Sequence, residues 1–321
     1  MTTTSTPAPI PAQNPDTAPL LQASGVIMRF GGLTAVRNVS LTVNSGEIVG
    51  LIGPNGAGKT TFFNCLTGLY VPTEGTVSYR GTVLPAKPHL VTKAGLARTF
   101  QNIRLFANMT VLENVLVGRH TRTREGLLSA LLRGPGYHKA EAQSRARAME
   151  LLEFTGLADK AEQLARNLPY GEQRKLEIAR ALASEPGLLL LDEPTAGMNP
   201  QETRATEELV FAVRDQGIAV LVIEHDMRFI FNLCDRVAVL VQGQMLVEGT
   251  SDVVQRDERV IAAYLGEPIA GEAEGPAPEP AQGPAADPAQ GPAAEPAQDP
   301  VAQPAQDPSA ATDDEQQEND R

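Results

Sequence analysis

The sequence predicts an α/β fold: a mixed, mostly parallel sheet with helices on both faces, an antiparallel β start and an inserted helical subdomain. Two observations carry this prediction. Short, continuously apolar runs of strand length, Leu188–Leu191 and Ile218–Ile223 among them, alternate along the chain with segments of helical periodicity. A glycine-rich loop, Gly53 to Thr61, lies between an apolar run and a helical one, the strand–loop–helix order of a doubly wound unit.

Composition confines the fold to residues 21–266 of the 321. Residues 1–20 are mostly Thr, Pro, Ala and Gln, too poor in large apolar side chains to offset the entropy of ordering. They read as a disordered leader, and with no basic start or long apolar run they do not read as a secretory signal. From Glu267 the chain repeats units such as Pro280-Ala281-Gln282-Gly283-Pro284 and reads as a disordered acidic tail to residue 321. That tail holds 13 Asp or Glu against the single Arg321, a net charge of −12 that equals the formal charge of the whole chain. The remainder is neutral overall, so it offers no strong footprint for nucleic acid.

Taken in order, Val26–Phe30 and Val36–Val43 are β-branched runs around Gly31-Gly32, an antiparallel opening. Glu47–Ile52 is a compact strand, and Lys59–Leu66 has helical spacing. Thr76–Tyr79 and Val83–Leu84, split by Arg80-Gly81, form a second hairpin. Between about residues 102 and 186 the pattern turns helical: Val111, Val115, Leu116; Leu127, Leu128, Leu131, Leu132; Ala146, Met149, Leu152, Leu157. Breaks are expected at Gly118, Gly134-Pro135-Gly136 and Gly156. A helix over Gln173–Ala183, the strand Leu188–Leu191, a helix after Pro200, the strand Ile218–Ile223 and closing strands Val237–Val241 and Gln244–Val247 complete the domain. Cys65 and Cys234 lie among apolar residues, far from metal-ligand spacing, and read as buried thiols in a reducing compartment. No run of about 18 apolar residues exists, so any membrane role is peripheral.

Three strand ends carry chemistry. The text Gly53-Pro54-Asn55-Gly56-Ala57-Gly58-Lys59-Thr60-Thr61 fits a phosphate-cradling loop. Its backbone N–H groups wrap a phosphate at a helix N-terminus, Lys59 adds positive charge, and the Thr60 hydroxyl suits Mg2+. Leu188–Leu191 ends in Asp192-Glu193, which places one carboxylate for the metal ion and one to polarise an attacking water. Leu221–Ile223 ends in Glu224-His225-Asp226, where His225 would reach the γ-phosphate.

These pieces, in this order, resemble an ATP-binding-cassette (ABC) ATPase, a P-loop NTPase, across essentially all of residues 21–266. The resemblance implies ATP and Mg2+ as ligands, and it puts Phe30 against adenine. Gln101, in Arg98-Thr99-Phe100-Gln101-Asn102, matches the loop glutamine that touches metal and nucleophile. It places Tyr170, Gly171, Glu172 and Gln173 in the signature that completes a partner's ATP site. Three positions depart from the common pattern: in Leu168-Pro169-Tyr170-Gly171-Glu172-Gln173, Pro169 stands for the usual signature serine and Tyr170 for the first of two glycines, and Asn199 stands for an aspartate.

Tyr170, the Gly197-Met198-Asn199-Pro200 loop, Phe30-Gly31-Gly32 and Tyr264-Leu265-Gly266 together resemble the larger cassette subunit of the high-affinity branched-chain amino-acid importers. That implies an ATPase energising import from the cytoplasmic face of the inner membrane. Its expected partners are two permease subunits, a second cassette subunit (a different chain or a second copy) and, indirectly, a periplasmic binding protein. Rival readings are a cassette for urea import or lipopolysaccharide export, and a soluble cassette ATPase acting on ribosomes or DNA. The last kind commonly carries two cassettes or a coiled-coil insertion, neither of which is in the sequence.

Overall fold

A computed structural model describes residues 18–120 and 135–265, and two sheets organise them. The first is antiparallel, in the order β2-β1-β4-β5, from β1 (Leu21–Phe30), β2 (Leu33–Val43), β4 (Glu74–Tyr79) and β5 (Thr82–Val83). The second, ordered β10-β9-β3-β8-β7-β6, comprises β3 (Ile48–Ile52), β6 (Leu96–Arg98), β7 (Leu188–Asp192), β8 (Ala219–Ile223), β9 (Arg236–Val241) and β10 (Gln244–Gly249). Its pairings are parallel except that β10 returns antiparallel to β9.

Every residue of β3, β7 and β8 is buried, which is why these strands are unbroken apolar runs in the sequence. Alternate side chains serve opposite faces. Leu189, Leu191, Val220 and Val222 pack with α5 (Tyr170–Leu182), α6 (Pro200–Asp215) and α7 (Met227–Leu233). Leu188, Leu190, Leu221 and Ile223 pack instead with α1 (Lys59–Leu66) and the antiparallel sheet. Phe62 and Phe63 of α1 are fully buried there, each contributing about 1.5–3 kcal/mol through removal from water. Register then fixes the site: Asp192 lies opposite Ile223 and Leu51 opposite the same residue, so β3, β7 and β8 end along one edge.

The structure differs from the sequence reading in particular places. The strand β6 and α2 (Pro88–Ala94) went unread, because three residues display no alternation and α2 buries only Val91. Gly118 does not break α3 (Val111–Arg119); a Cβ there would stand 2.2 Å from the Arg180 carbonyl oxygen, so the glycine permits close approach of α3 to α5. Pro135 and Gly136 are the first residues of α4 (Pro135–Phe154) rather than a break before it, a position where proline gives up no helix hydrogen bond. The helix α5 begins at Tyr170, three residues before the expected Gln173, because Pro169 at φ −56° and ψ 155° sets up the first turn. The hairpin after Arg80-Gly81 pairs Thr82 and Val83, leaving Leu84 to bond Val77. Leu20, counted with the leader, is buried, and its carbonyl accepts from Arg80 N at 2.8 Å.

Leu127, Leu128, Leu131 and Leu132, residues 1–17 of the leader and the acidic tail lie outside the described residues. The chain closes with α8 (Ser251–Gln255) and α9 (Glu258–Leu265). Among the described residues no helix is long and apolar enough to cross a membrane.

Candidate functional site

The phosphate loop leaves β3 and enters α1 through Gly58, whose φ of 94° is left-handed. A Cβ on Gly58 would sit 2.4 Å from the Ala35 carbonyl oxygen, so only glycine fits. No side chain caps α1, and its first helical bond is Phe62 N to Gly58 O at 2.9 Å. The amides of Lys59, Thr60 and Thr61 therefore have no intrahelical acceptor, the arrangement that binds phosphate. Lys59 is buried, and its Nζ donates to the carbonyls of Gly53 (2.7 Å) and Pro54 (3.1 Å). Burial lowers its pKa, opposed by the nearby charges of Glu193 and Asp192. At the loop tip Asn55 and Gly56 are exposed, Ala57 N turns back to Pro54 O, and the exposed Thr60 hydroxyl has no hydrogen bond among the described residues.

Glu193 follows β7 with φ 49°, an uncommon conformation for a non-glycine residue. Its amide is held by the Ile223 carbonyl at 2.9 Å. Both carboxylate oxygens are engaged: Oε2 accepts from Gln101 Nε2 at 2.7 Å, and Oε1 lies 2.7 Å from His225 Nε2. The structure thus brings together Gln101, Glu193 and His225, three residues separated by long stretches of sequence. Behind them Glu224 is buried, accepting from Thr195 N and Oγ1 and from His225 N, which ties the β7 and β8 ends to each other.

Asp192 is buried and takes its bond from Arg98 on Oδ2 alone, leaving Oδ1 uncommitted among the described residues. Gln101 spends its Nε2 on Glu193, which leaves its Oε1 as an acceptor. With the Thr60 hydroxyl these are hard oxygen donors that fit Mg2+. Among the described residues no group of three or more His, Cys, Asp and Glu is arranged to hold a metal ion by itself.

Phe30 is exposed at the end of β1, and Tyr70, unread in the sequence, stands edge-on to it with ring centroids 5.4 Å apart. Of the signature residues, Tyr170 lines a cleft of about 430 Å3 with Gln101, Asn102, Glu193, Ala196 and Gly197. The other three point elsewhere or contribute backbone: Glu172 pairs with Lys160, Gln173 Nε2 donates to Leu168 O at 2.9 Å, and Gly171 is buried in the first turn of α5. Asn199 caps α6 by accepting from Gln201 N and Glu202 N, a role in which asparagine equals aspartate.

Sequence reasoning also missed Arg174. It is buried in α5, donates from Nη1 to the Phe100 carbonyl and from Nη2 to that of Gln101, and pairs with Glu177 at 3.0 Å. Burial pushes the Glu177 carboxyl up, against the pull of Arg174 and Arg180. The only advance signal was an arginine and a glutamate three apart on a helix, which is ordinarily a solvated pair.

A phosphate loop at a parallel-sheet edge, faced by an aspartate–glutamate pair, a glutamine and a histidine, defines a P-loop nucleotide hydrolase. Residues 36–196 match the family described as ABC transporter, and residues 244–270 match one described as branched-chain amino acid ATP-binding cassette transporter. The high-affinity branched-chain amino acid transport ATP-binding protein LivG of Salmonella typhimurium is 49% identical over 251 residues, covering 78% of this chain and 98% of that protein. Its counterpart BraF of Pseudomonas aeruginosa is 44% identical over the same length and shares. A crystal structure of the ADP conformation of an ATP-binding cassette of an ABC transporter aligns with a TM-score of 0.68 and 31% identity, over 78% of this chain and all of that one. The chain belongs to the ABC transporter ATP-binding family, and it is a nucleotide-binding ATPase of a membrane transporter.

Proposed function

We propose that this chain hydrolyses ATP to energise an importer of branched-chain amino acids, with Glu193 as the residue that polarises the attacking water. The observation that carries the reading is the Glu193 carboxylate, held on one side by Gln101 and on the other by His225 at the edge where the phosphate loop ends. In this reading the amides of Gly56 to Thr61 and Lys59 bind the β- and γ-phosphates, and Phe30 stacks on adenine. Bound Mg2+ would neutralise developing phosphate charge; Thr60, Asp192 and Gln101 are the residues that would hold it. His225 orients Glu193 beside the γ-phosphate. Glu193 takes the proton of the water as its oxygen attacks the γ-phosphorus and the bond to ADP breaks.

The free amides at the start of α5 suit a γ-phosphate presented by a second cassette, which makes a head-to-tail pair the working unit. Because Pro169 supplies no hydroxyl, the site it completes differs from one completed by a serine, which favours a different chain as the partner. The exposed Phe106 and Val117, beside Arg98 and Gly118 in a hollow of about 320 Å3, are suited to receive a permease segment on the cytoplasmic face of the membrane. Two permeases and, across the membrane, a binding protein complete the assembly. The same cassette plan would serve urea import or lipopolysaccharide export; similarity to the LivG and BraF proteins favours amino acids.

A pull-down of the full chain from detergent-solubilised membranes tests the assignment. Recovery of two amino-acid permeases and a second cassette is expected. Recovery of ribosomal proteins, or of permeases for another cargo, would overturn it.

A further inference from the structure

Arg98 has no part in the mechanism above, yet it ends β6 with its guanidinium in the middle of the site's supports. Its side chain is 8% exposed, and Nη2 donates to Asp192 Oδ2 at 2.6 Å. From Nη1 it reaches across to α1, donating to Asn64 Oδ1 at 2.7 Å and to Thr67 Oγ1 at 3.2 Å. Its Cζ lies 5.5 Å from the Phe63 ring centroid and 5.3 Å from that of Phe100. One side chain therefore joins the β7 carboxylate, the helix of the phosphate loop and the segment that leads into Gln101. Thr99, its neighbour, adds a second hold by accepting from Asp192 N at 3.3 Å.

We propose that Arg98 is a positioning residue for the metal ion: by occupying Oδ2 it fixes the rotamer of Asp192 and presents Oδ1 to the Mg2+ that accompanies ATP. The proposal rests on the reading of Asp192 as the metal-binding carboxylate. A buried carboxylate that is to hold a cation needs an outer partner to fix its plane, and loss of such partners weakens metal binding without touching the metal. Arginine suits the task because its planar fork reaches two elements at once while staying charged and dry. Lysine keeps the charge but offers a single point that cannot hold Asp192 and α1 together.

The test uses the full chain with Arg98→Lys and Arg98→Met, measuring ATP affinity in EDTA, Mn2+ affinity of the ATP complex by electron paramagnetic resonance, and thermal melting. Expected are an ATP affinity in EDTA within twofold of the parent and a Mn2+ affinity weakened roughly 10- to 100-fold. Adding Arg98→Lys to Asp192→Asn should then change Mn2+ affinity little further. If Arg98→Met does not melt cooperatively, Arg98→Lys alone carries the measurement. Mn2+ affinity within twofold of the parent in a cooperatively melting Arg98→Lys chain overturns the proposal. Equal losses with and without the cation also overturn it, since Arg98 would then brace the phosphate loop alone. Should the parent chain bind ATP with no dependence on the cation, the fault lies instead with the metal reading of Asp192.

Discussion

Gln101 Nε2 stands 2.7 Å from Glu193 Oε2, while His225 Nε2 stands 2.7 Å from the other oxygen of the same carboxylate. Residues from two other segments thereby lock one side chain whose backbone is already held at φ 49°. Such an arrangement is costly to assemble and makes sense when the orientation of the carboxylate matters more than local stability.

Replacing Glu193 by Gln keeps the shape but removes the base. Turnover should fall by about 10²- to 10⁴-fold while ATP still binds. A coupled phosphate-release assay, with nucleotide binding measured by equilibrium dialysis, checks both halves; full activity would refute the role given to Glu193.

His225→Ala and Gln101→Ala each release one side of that carboxylate. Both variants should lower kcat with little change in the KM for ATP, since neither removes a phosphate-loop contact. Because His225 acts through Glu193, adding His225→Ala to Glu193→Gln should change the rate hardly at all. A large rise in KM alone would place these residues in nucleotide binding instead.

Lys59→Ala should weaken ATP binding and abolish hydrolysis together. In the structure Nζ bonds the Gly53 and Pro54 carbonyls, so the charge is sheltered and ready for transfer to phosphate. Isothermal titration with ATP is the direct check, and unchanged affinity would contradict the assignment of the loop.

Gly118→Ala should destabilise the protein by about 1–3 kcal/mol, because the added methyl meets the Arg180 carbonyl at 2.2 Å and forces α3 and α5 apart. Urea unfolding reads this as a lower midpoint. A midpoint equal to the parent's would mean the helices separate without cost.

Burial pushes the Cys65 thiol up to about 11 and raises that of Cys234 as well. Between the unfolded thiol value of roughly 8.5 and these raised values, the unfolded chain has lost protons that the folded chain keeps. Folding stability should therefore hold below about pH 8 and decline as pH rises beyond it. The paired variant Cys65→Ala and Cys234→Ala should lose part of that decline, as urea midpoints at pH 8 and 10 would report. Iodoacetamide should label neither thiol before unfolding.

Much of this was legible in the sequence because it is written locally. A strand buried on both faces must be apolar throughout, so Leu188–Leu191 and Ala219–Ile223 announce themselves, and the phosphate loop must carry glycine where the backbone turns left-handed, as at Gly58. From parallel strands it also follows that Asp192, Glu193 and His225 end on one edge. What the tertiary structure alone decided are pairings across long separations, to which no local period corresponds. Arg98 meeting Asp192, Arg174 gripping the Phe100 and Gln101 carbonyls, Tyr70 beside Phe30 and Gly118 against Arg180 are of this kind. A polar residue on a short strand or a helix looks like a solvated one until packing buries it, and only then must its hydrogen bonds be satisfied by partners that the fold supplies.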